Sequence, residues 1–201
     1  MMTTWKANDS SDKKFENAPA GAYNAVCIKV IDLGTHKSVW EGQEKIQRKV
    51  HIMWEIDEPM SDGRPFVCSR KFTVSLHEKA SLRAFLKGWR GRDFTEEELL
   101  GFDPIKLIAA PCMLSLVQSG DYVNVASASK LPKGMATLVA QNKTVYFSLD
   151  DFDESVFDSL SNSMRETIQE SPEYKKLVGK DMPGASDSSG GFAEMDSDIP
   201  F

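Results

Sequence analysis

The sequence predicts a mainly β chain with added helices, and three observations carry that prediction. Apolar and polar residues alternate with period two in several stretches between Ala22 and Leu131, as half-buried strands require. The stretch from Ser75 to Gly101 spaces its apolar residues for helices instead. From Lys180 the composition turns to Gly, Ser and Asp, from which no core can form.

Taken in order, Met1–Pro19 is polar, with Trp5 and Phe15 as isolated apolar points, and reads as a flexible arm. Ala22–Asp32 alternates, with Val26, Ile28 and Val30 on one face and Cys27, Lys29 and Ile31 on the other. Gly34–Glu44 reads as a polar connection carrying Lys37 and Trp40. Lys45–Asp57 is the longest alternation. Val50, Ile52, Trp54 and Ile56 share one side; Gln47, Lys49, His51, Met53 and Glu55 share the other. This predicts a long strand with one polar face. Pro59, Asp62-Gly63 and Pro65 make Glu58–Pro65 a turn. Phe66–Ser75 follows as a strand, with Phe66, Cys68, Phe72 and Val74 toward the core. Arg70 interrupts that face and marks a bulge or an outward twist.

Ser75 with Glu78 has the spacing of a capping box, and Leu82, Phe85, Leu86 and Trp89 then form one helical stripe. Lys79, Arg83, Lys87 and Arg90 line the opposite side as a solvated face, and Gly91 ends the helix. Thr95 with Glu98 opens a second, short helix that stops at Gly101. Ala110–Gln118 and Tyr122–Leu131 are strands joined by the Ser119-Gly120-Asp121 turn, and Thr144–Leu149 reads as one more. Beyond them Val156, Phe157 and Leu160 cluster, Ser163 with Glu166 is a third capping box, and Ser171-Pro172 starts a helix closed at Gly179. Three strands, a helical connection and two strands is the order of the five-stranded Greek-key OB-fold, the oligonucleotide/oligosaccharide-binding barrel. The expected layout is an arm (1–19), the OB-fold (20–149), a helical extension (150–179) and a disordered acidic tail (180–201).

Charge is distributed unevenly along the 201 residues. The net charge is -6, yet Met1–Leu149 carries 20 basic and 17 acidic residues, while Asp150–Phe201 carries 4 and 13. Lys29–Arg92 alone holds 13 basic and 8 acidic. A mildly basic body with an acidic end points to an electrostatic partner for the body. Cys27, Cys68 and Cys112 are scattered and odd in number. They read as small buried hydrophobes in a reducing compartment, with no disulfide framework or zinc site. There is no apolar run long enough for a membrane span and no leader pattern. No phosphate loop, zinc-protease motif or nucleophile elbow occurs, which argues against an enzyme. No metal or other cofactor is expected, and Asp150, Asp151 and Asp153 read as a solvated turn before a helix.

The last residues are Asp196, Ser197, Asp198, Ile199, Pro200 and Phe201. Pro200 biases Ile199 toward extended backbone, so two apolar anchors stand close to a terminal carboxylate. Such an end suits a basic pocket, and Asp196 and Asp198 steer it there. This tip resembles that of bacterial single-stranded DNA-binding proteins, Asp-Asp-Asp-Ile-Pro-Phe, with five of six positions matching and Ser197 the departure. The body does not align with the bacterial protein. Its longer helical connection and extra helices, and the run Ser163–Leu177, are more like the divergent single-stranded DNA-binding proteins of tailed bacteriophages.

The resemblance implies a non-enzymatic protein of the bacterial cytoplasm, in an infected cell. It would bind single strands without sequence preference in replication, recombination and repair. Its partners would be single-stranded DNA and, through Asp196, Asp198, Ile199, Pro200 and Phe201, host replication and repair proteins; self-association stays open. On an OB-fold the strand lies across strands two and three and their flanking loops. That selects Lys49, His51, Lys71 and Arg70 on the face, Lys37 and Trp40 before strand two, and Tyr122 after strand four. Trp54 and Trp89 read as core. An annealing protein for recombination and a replisome adaptor are the alternatives.

Overall fold

The alternation at Lys45–Asp57 becomes the middle of β2 (Gln43–Pro59), and its apolar side is the heart of the core. Val50, Ile52, Trp54 and Ile56 are all buried there. The computed structural model describes residues 16–40 and 42–180, apart from the side chains of Trp40 and Lys180. The other strands are β1 (Gly21–Trp40), β3 (Pro65–Thr73), β4 (Pro111–Ser119), β5 (Tyr122–Ser129) and the short β6 (Val145–Phe147). The helices are α1 (Ser81–Arg90), α2 (Glu96–Leu100), α3 (Glu154–Asp158), α4 (Asn162–Gln169) and α5 (Pro172–Lys180). Among the described residues none is long and apolar enough to cross a membrane.

The strands form one sheet in the order β3-β2-β1-β4-β5, antiparallel throughout, with β6 added parallel to β1. Its two ends, β3 and β5, come together. The Arg70 guanidinium spans them, its Nη1 donating to the carbonyls of Val125 (3.0 Å) and Ala126 (2.8 Å). The α1 stripe expected from the sequence seats on the enclosed core, where Phe85 and Trp89 pack against Trp54 and Phe72. The Trp89 indole N–H donates to the Pro111 carbonyl at 2.9 Å. Gly88 allows this approach, since a Cβ there would stand 2.6 Å from the Ala128 carbonyl oxygen of β5.

Several expectations are corrected. Gly34–Trp40 is not a connection but the last third of a 20-residue β1, paired with Gln43–Lys49. Irregularities at Cys27/Lys29 and Asp32/Gly34 shift the register, so β1 does not keep one apolar face. Ala25, Cys27 and Val30 enter the main core, whereas Val26 and Ile28 face the other way. No bulge occurs at Arg70, which pairs with Ile52 in regular register. The Ser75/Glu78 box is absent: the Ser75 hydroxyl accepts from the His77 N–H, and α1 begins six residues later behind Ala80. Likewise α4 starts behind Ser161 without a side-chain cap. The Thr95/Glu98 box forms as expected.

Residues beyond β5 wrap the outer surface of β1. Ile31 and Leu33 pack with Phe147, Leu149, Phe157, Leu160 and Ile168 in a second core. Nearer the start of β1, Leu138 and Ala140 cover Val26, Ile28 and Met53. The segment carrying them is tied down by Glu55, a fully buried carboxylate. It accepts from the backbone N–H groups of Gln141 (2.8 Å) and Asn142 (2.9 Å) and from the Asn142 amide (2.7 Å). The outer side of β1 and the Met53–Glu55 part of β2 are thereby covered; among the described residues, the rest of the outer side of β2, from Lys45 to His51, and its β3 neighbours are left open.

Candidate nucleic-acid interface

Cross-strand register sets the open face. Lys49 opposes Thr73 and His51 opposes Lys71, while Met53, opposite Ser69, is already buried under Leu138 and Ala140 and bounds the face. Lys49 is fixed by its neighbours, its Nζ donating to Thr73 Oγ1 (2.7 Å) and Gln47 Oε1 (3.0 Å). His51 is half-buried; desolvation first and the Lys71 charge second push its imidazole down to about 4. It is therefore neutral at neutral pH and adds a ring and a hydrogen-bonding edge, not a charge. Its Nδ1 is buried without a partner among the described residues. Lys71 is exposed.

Toward the β1–β2 hairpin this face opens into a groove of about 890 Å³. Lys45, Gln47 and Lys49 of β2 form one wall, and Thr73, Ser75, His77 and Lys79 the other. Among the described residues no Asp or Glu lines it; Glu78 falls between two lining residues in sequence without joining them. A smaller cleft of about 530 Å³ runs along the β3–β5 boundary between Ser69 and Lys71 on one side and Asn124 and Ala126 on the other. Lysines without carboxylates, interleaved with hydroxyls and amides, favour an extended anion.

Of the residues expected from the sequence, Lys49, His51 and Lys71 are brought together on this face. Arg70 lines the β3–β5 cleft beside Lys71, but its guanidinium is held by the β5 carbonyls and lies over the Phe72 ring, 4.9 Å from the centroid. Lys37 pairs across from Ile46, and so belongs to the hairpin side opposite Lys45 and Gln47. It lies 4.0 Å from Glu44 and lines a hollow with Pro172 and Lys175. Trp40 ends β1 opposite Gln43, and its side chain lies outside the described residues. Tyr122 is 73% exposed at the far end of the molecule from the hairpin. Its turn is linked to the β2–β3 turn through the neighbours Asn17 and Glu16, which bond Asp121 and Ser61 respectively. The tip residues Asp196, Asp198, Ile199, Pro200 and Phe201, and Trp5 in the arm, also lie outside the described residues.

Lys45, His77 and Lys79 are the groove residues that sequence reasoning missed. The alternation of β2 carried back two residues reaches Lys45, but Lys79 was hidden by its assignment to a helix face. The remaining cations of that face are engaged. Arg83 and Lys87 share Asp93, and Arg90 and Arg92 share Glu98, whose carboxyl Arg92 above all holds down at about 2. Asp150 pairs with Arg48 at 2.9 Å, and Asp153 caps α3. Cys27 and Cys112 are buried and unpaired, Cys68 half-buried; burial pushes the Cys112 thiol up to about 12. A scan against protein-family models, a search of curated proteins and a search of solved structures each returned no match.

Proposed function

We propose that this chain binds single-stranded DNA without sequence preference on the open β2–β3 face of an OB-fold, and recruits replication, recombination and repair proteins through Ile199, Pro200 and Phe201. The groove that Lys45, Lys49 and Lys79 line, with no Asp or Glu among its described lining residues, is the observation that carries the reading. The strand order supports the fold assignment: a 1-2-3 meander, α1 between β3 and β4, β4 beside β1, and β5 returning to β3 is how such a barrel is wound. The closing seam here is a side chain, Arg70, and the face left uncovered is the one on which OB-folds hold oligonucleotides. No step of bond making or breaking is assigned. The protein's work is to hold a polyanion by charge and to present its tip.

The test is titration of labelled oligo-dT by fluorescence anisotropy across salt concentrations, comparing the full chain with Lys45→Gln/Lys49→Gln/Lys79→Gln. The variant should bind about tenfold or more weakly at low salt. Its salt slope should be shallower by about 2, from three lost phosphate contacts at about 0.7 each. Equal affinity in the two proteins would move the strand off this face. No binding by the full chain at low salt would remove the single-strand reading and leave an adaptor.

A further inference from the structure

We infer that the β1–β2 hairpin is an interface between two copies of this chain, packed face to face about a two-fold axis, with Lys37 of each copy paired to Glu44 of the other. The pairing of β1 with β4 ends at Val26 and with β6 at Ile31, and the β2–β3 ladder begins at Lys49. Among the described residues, 36–40 and 43–47 therefore continue past the rest of the sheet as a ribbon of two strands. Such a ribbon is marginal in water by itself, and covering an apolar face on it adds stability.

Register defines that face. Lys37 pairs with Ile46 and Val39 with Glu44, so these four residues share one side of the ribbon as the corners of a square. Val39 and Ile46 lie on one diagonal and are 68% and 66% exposed. Lys37 and Glu44 lie on the other, 4.0 Å apart, and both side chains are exposed. Lys37 and Ile46 also border the hollow of about 490 Å³ that Glu170, Pro172 and Lys175 line.

This pattern selects its occupant. Lys37 and Glu44 cancel, as do Lys175 and Glu170 beside them, so the face has no net charge to draw a polyanion or the acidic residues 181–201. It is instead complementary to itself. Turned over about the Val39–Ile46 diagonal, a second copy sets Val39 on Val39 and Ile46 on Ile46, and brings each Lys37 over the other copy's Glu44. Turned about the other diagonal, it would set lysine on lysine and glutamate on glutamate. An axis along or across the strands would set each charge on an aliphatic side chain. Only the first orientation suits all four residues, and it crosses the two ribbons. Of these four only Val39 also lines the groove; Ser38, Lys45 and Gln47 fall by register on the other side of the ribbon. An interface this small is of the weak, concentration-dependent class. The association does not depend on the single-strand reading.

Sedimentation velocity of the full chain, over a concentration series reaching the millimolar range, tests it with Lys37→Glu, Glu44→Lys and an equimolar mixture of the two. The wild type should move toward a dimer as concentration rises. Each single variant opposes like charges across the axis and should self-associate about tenfold more weakly. A heterodimer of the two variants opposes unlike charges at both sites, so mixing should return the association toward wild-type strength. That recovery has no source within one chain, because each variant keeps its own like-charged pair. A wild type that stays monomeric, single variants that associate as the wild type does, or a mixture no stronger than its components would each overturn the inference.

Discussion

At the scale of single residues, His51 gives the most direct handle on the open face. In the folded chain its imidazole is pushed down to about 4, against 6.5 for an ordinary histidine, because it is half-buried beside Lys71. Between those two values the unfolded chain binds a proton that the folded chain does not. Stability therefore rises with pH across that window, and His51 adds no slope above it. The ring remains partly open to solvent, so the effect is discounted to about 1 kcal/mol at pH 5 relative to pH 7. Urea denaturation of the wild type and of His51→Gln at both pH values checks this. The wild type should lose about 1 kcal/mol more on acidification, and equal losses would mean that the imidazole is not desolvated. Nearby Lys49 makes the complementary point. Its charge was legible from the alternation of β2, but its fixed orientation was not, since Thr73 lies 24 positions away in the chain.

At the scale of elements, the join between β1 and the C-terminal helices hangs on Gly34. Its φ is +78°, and a Cβ there would stand 2.6 Å from Ser171 Oγ and 2.9 Å from Leu149 Cδ1. Ser171 itself is fully buried at the start of α5, where its hydroxyl accepts from the Tyr174 N–H. Gly34→Ala combines backbone strain with overpacking and should cost about 2–4 kcal/mol. Thermal unfolding measures it, and an unchanged midpoint would show that α5 does not seat on β1. This join also marks where the sequence stopped being informative. The alternation of β2 reads through cleanly because one whole side is core and the register is regular from Lys49 to Glu55. In β1 two irregularities exchange the faces, so a period-two reading puts Val26, Ile28 and Val30 together when the fold separates them. The Ser75/Glu78 spacing was that of a cap, but nothing local said that Ser75 would instead close a turn onto His77. Arg70 looked outward-facing because it is charged. Its partners are two backbone carbonyls 55 and 56 residues away, which leave no local signature at all.

At the scale of the whole molecule, the fold separates charge as the sequence does. The open face concentrates Lys45, Lys49, Lys71 and Lys79, while residues 181–201 hold five carboxylates and no Lys or Arg. Both lie on one chain, so the acidic segment is present near the groove at an effective concentration set by its own length. A single strand and this segment would then compete for the same lysines. The segment's hold would be weak, since its charges are spread along the sequence, and salt would screen it within about 10 Å at 0.1 M. Removing residues 181–201 should therefore raise affinity for oligo-dT several-fold at low salt, with the advantage shrinking as salt rises. Charge-neutral replacement of Asp181, Asp187, Glu194, Asp196 and Asp198 by Asn or Gln should act in the same way while keeping Ile199, Pro200 and Phe201. Agreement between the truncation and the neutralised chain would locate the effect in charge. If only the truncation gains affinity, the apolar tip would be the competitor. If neither gains at low salt, the acidic end does not meet the groove, and its role would be confined to other proteins.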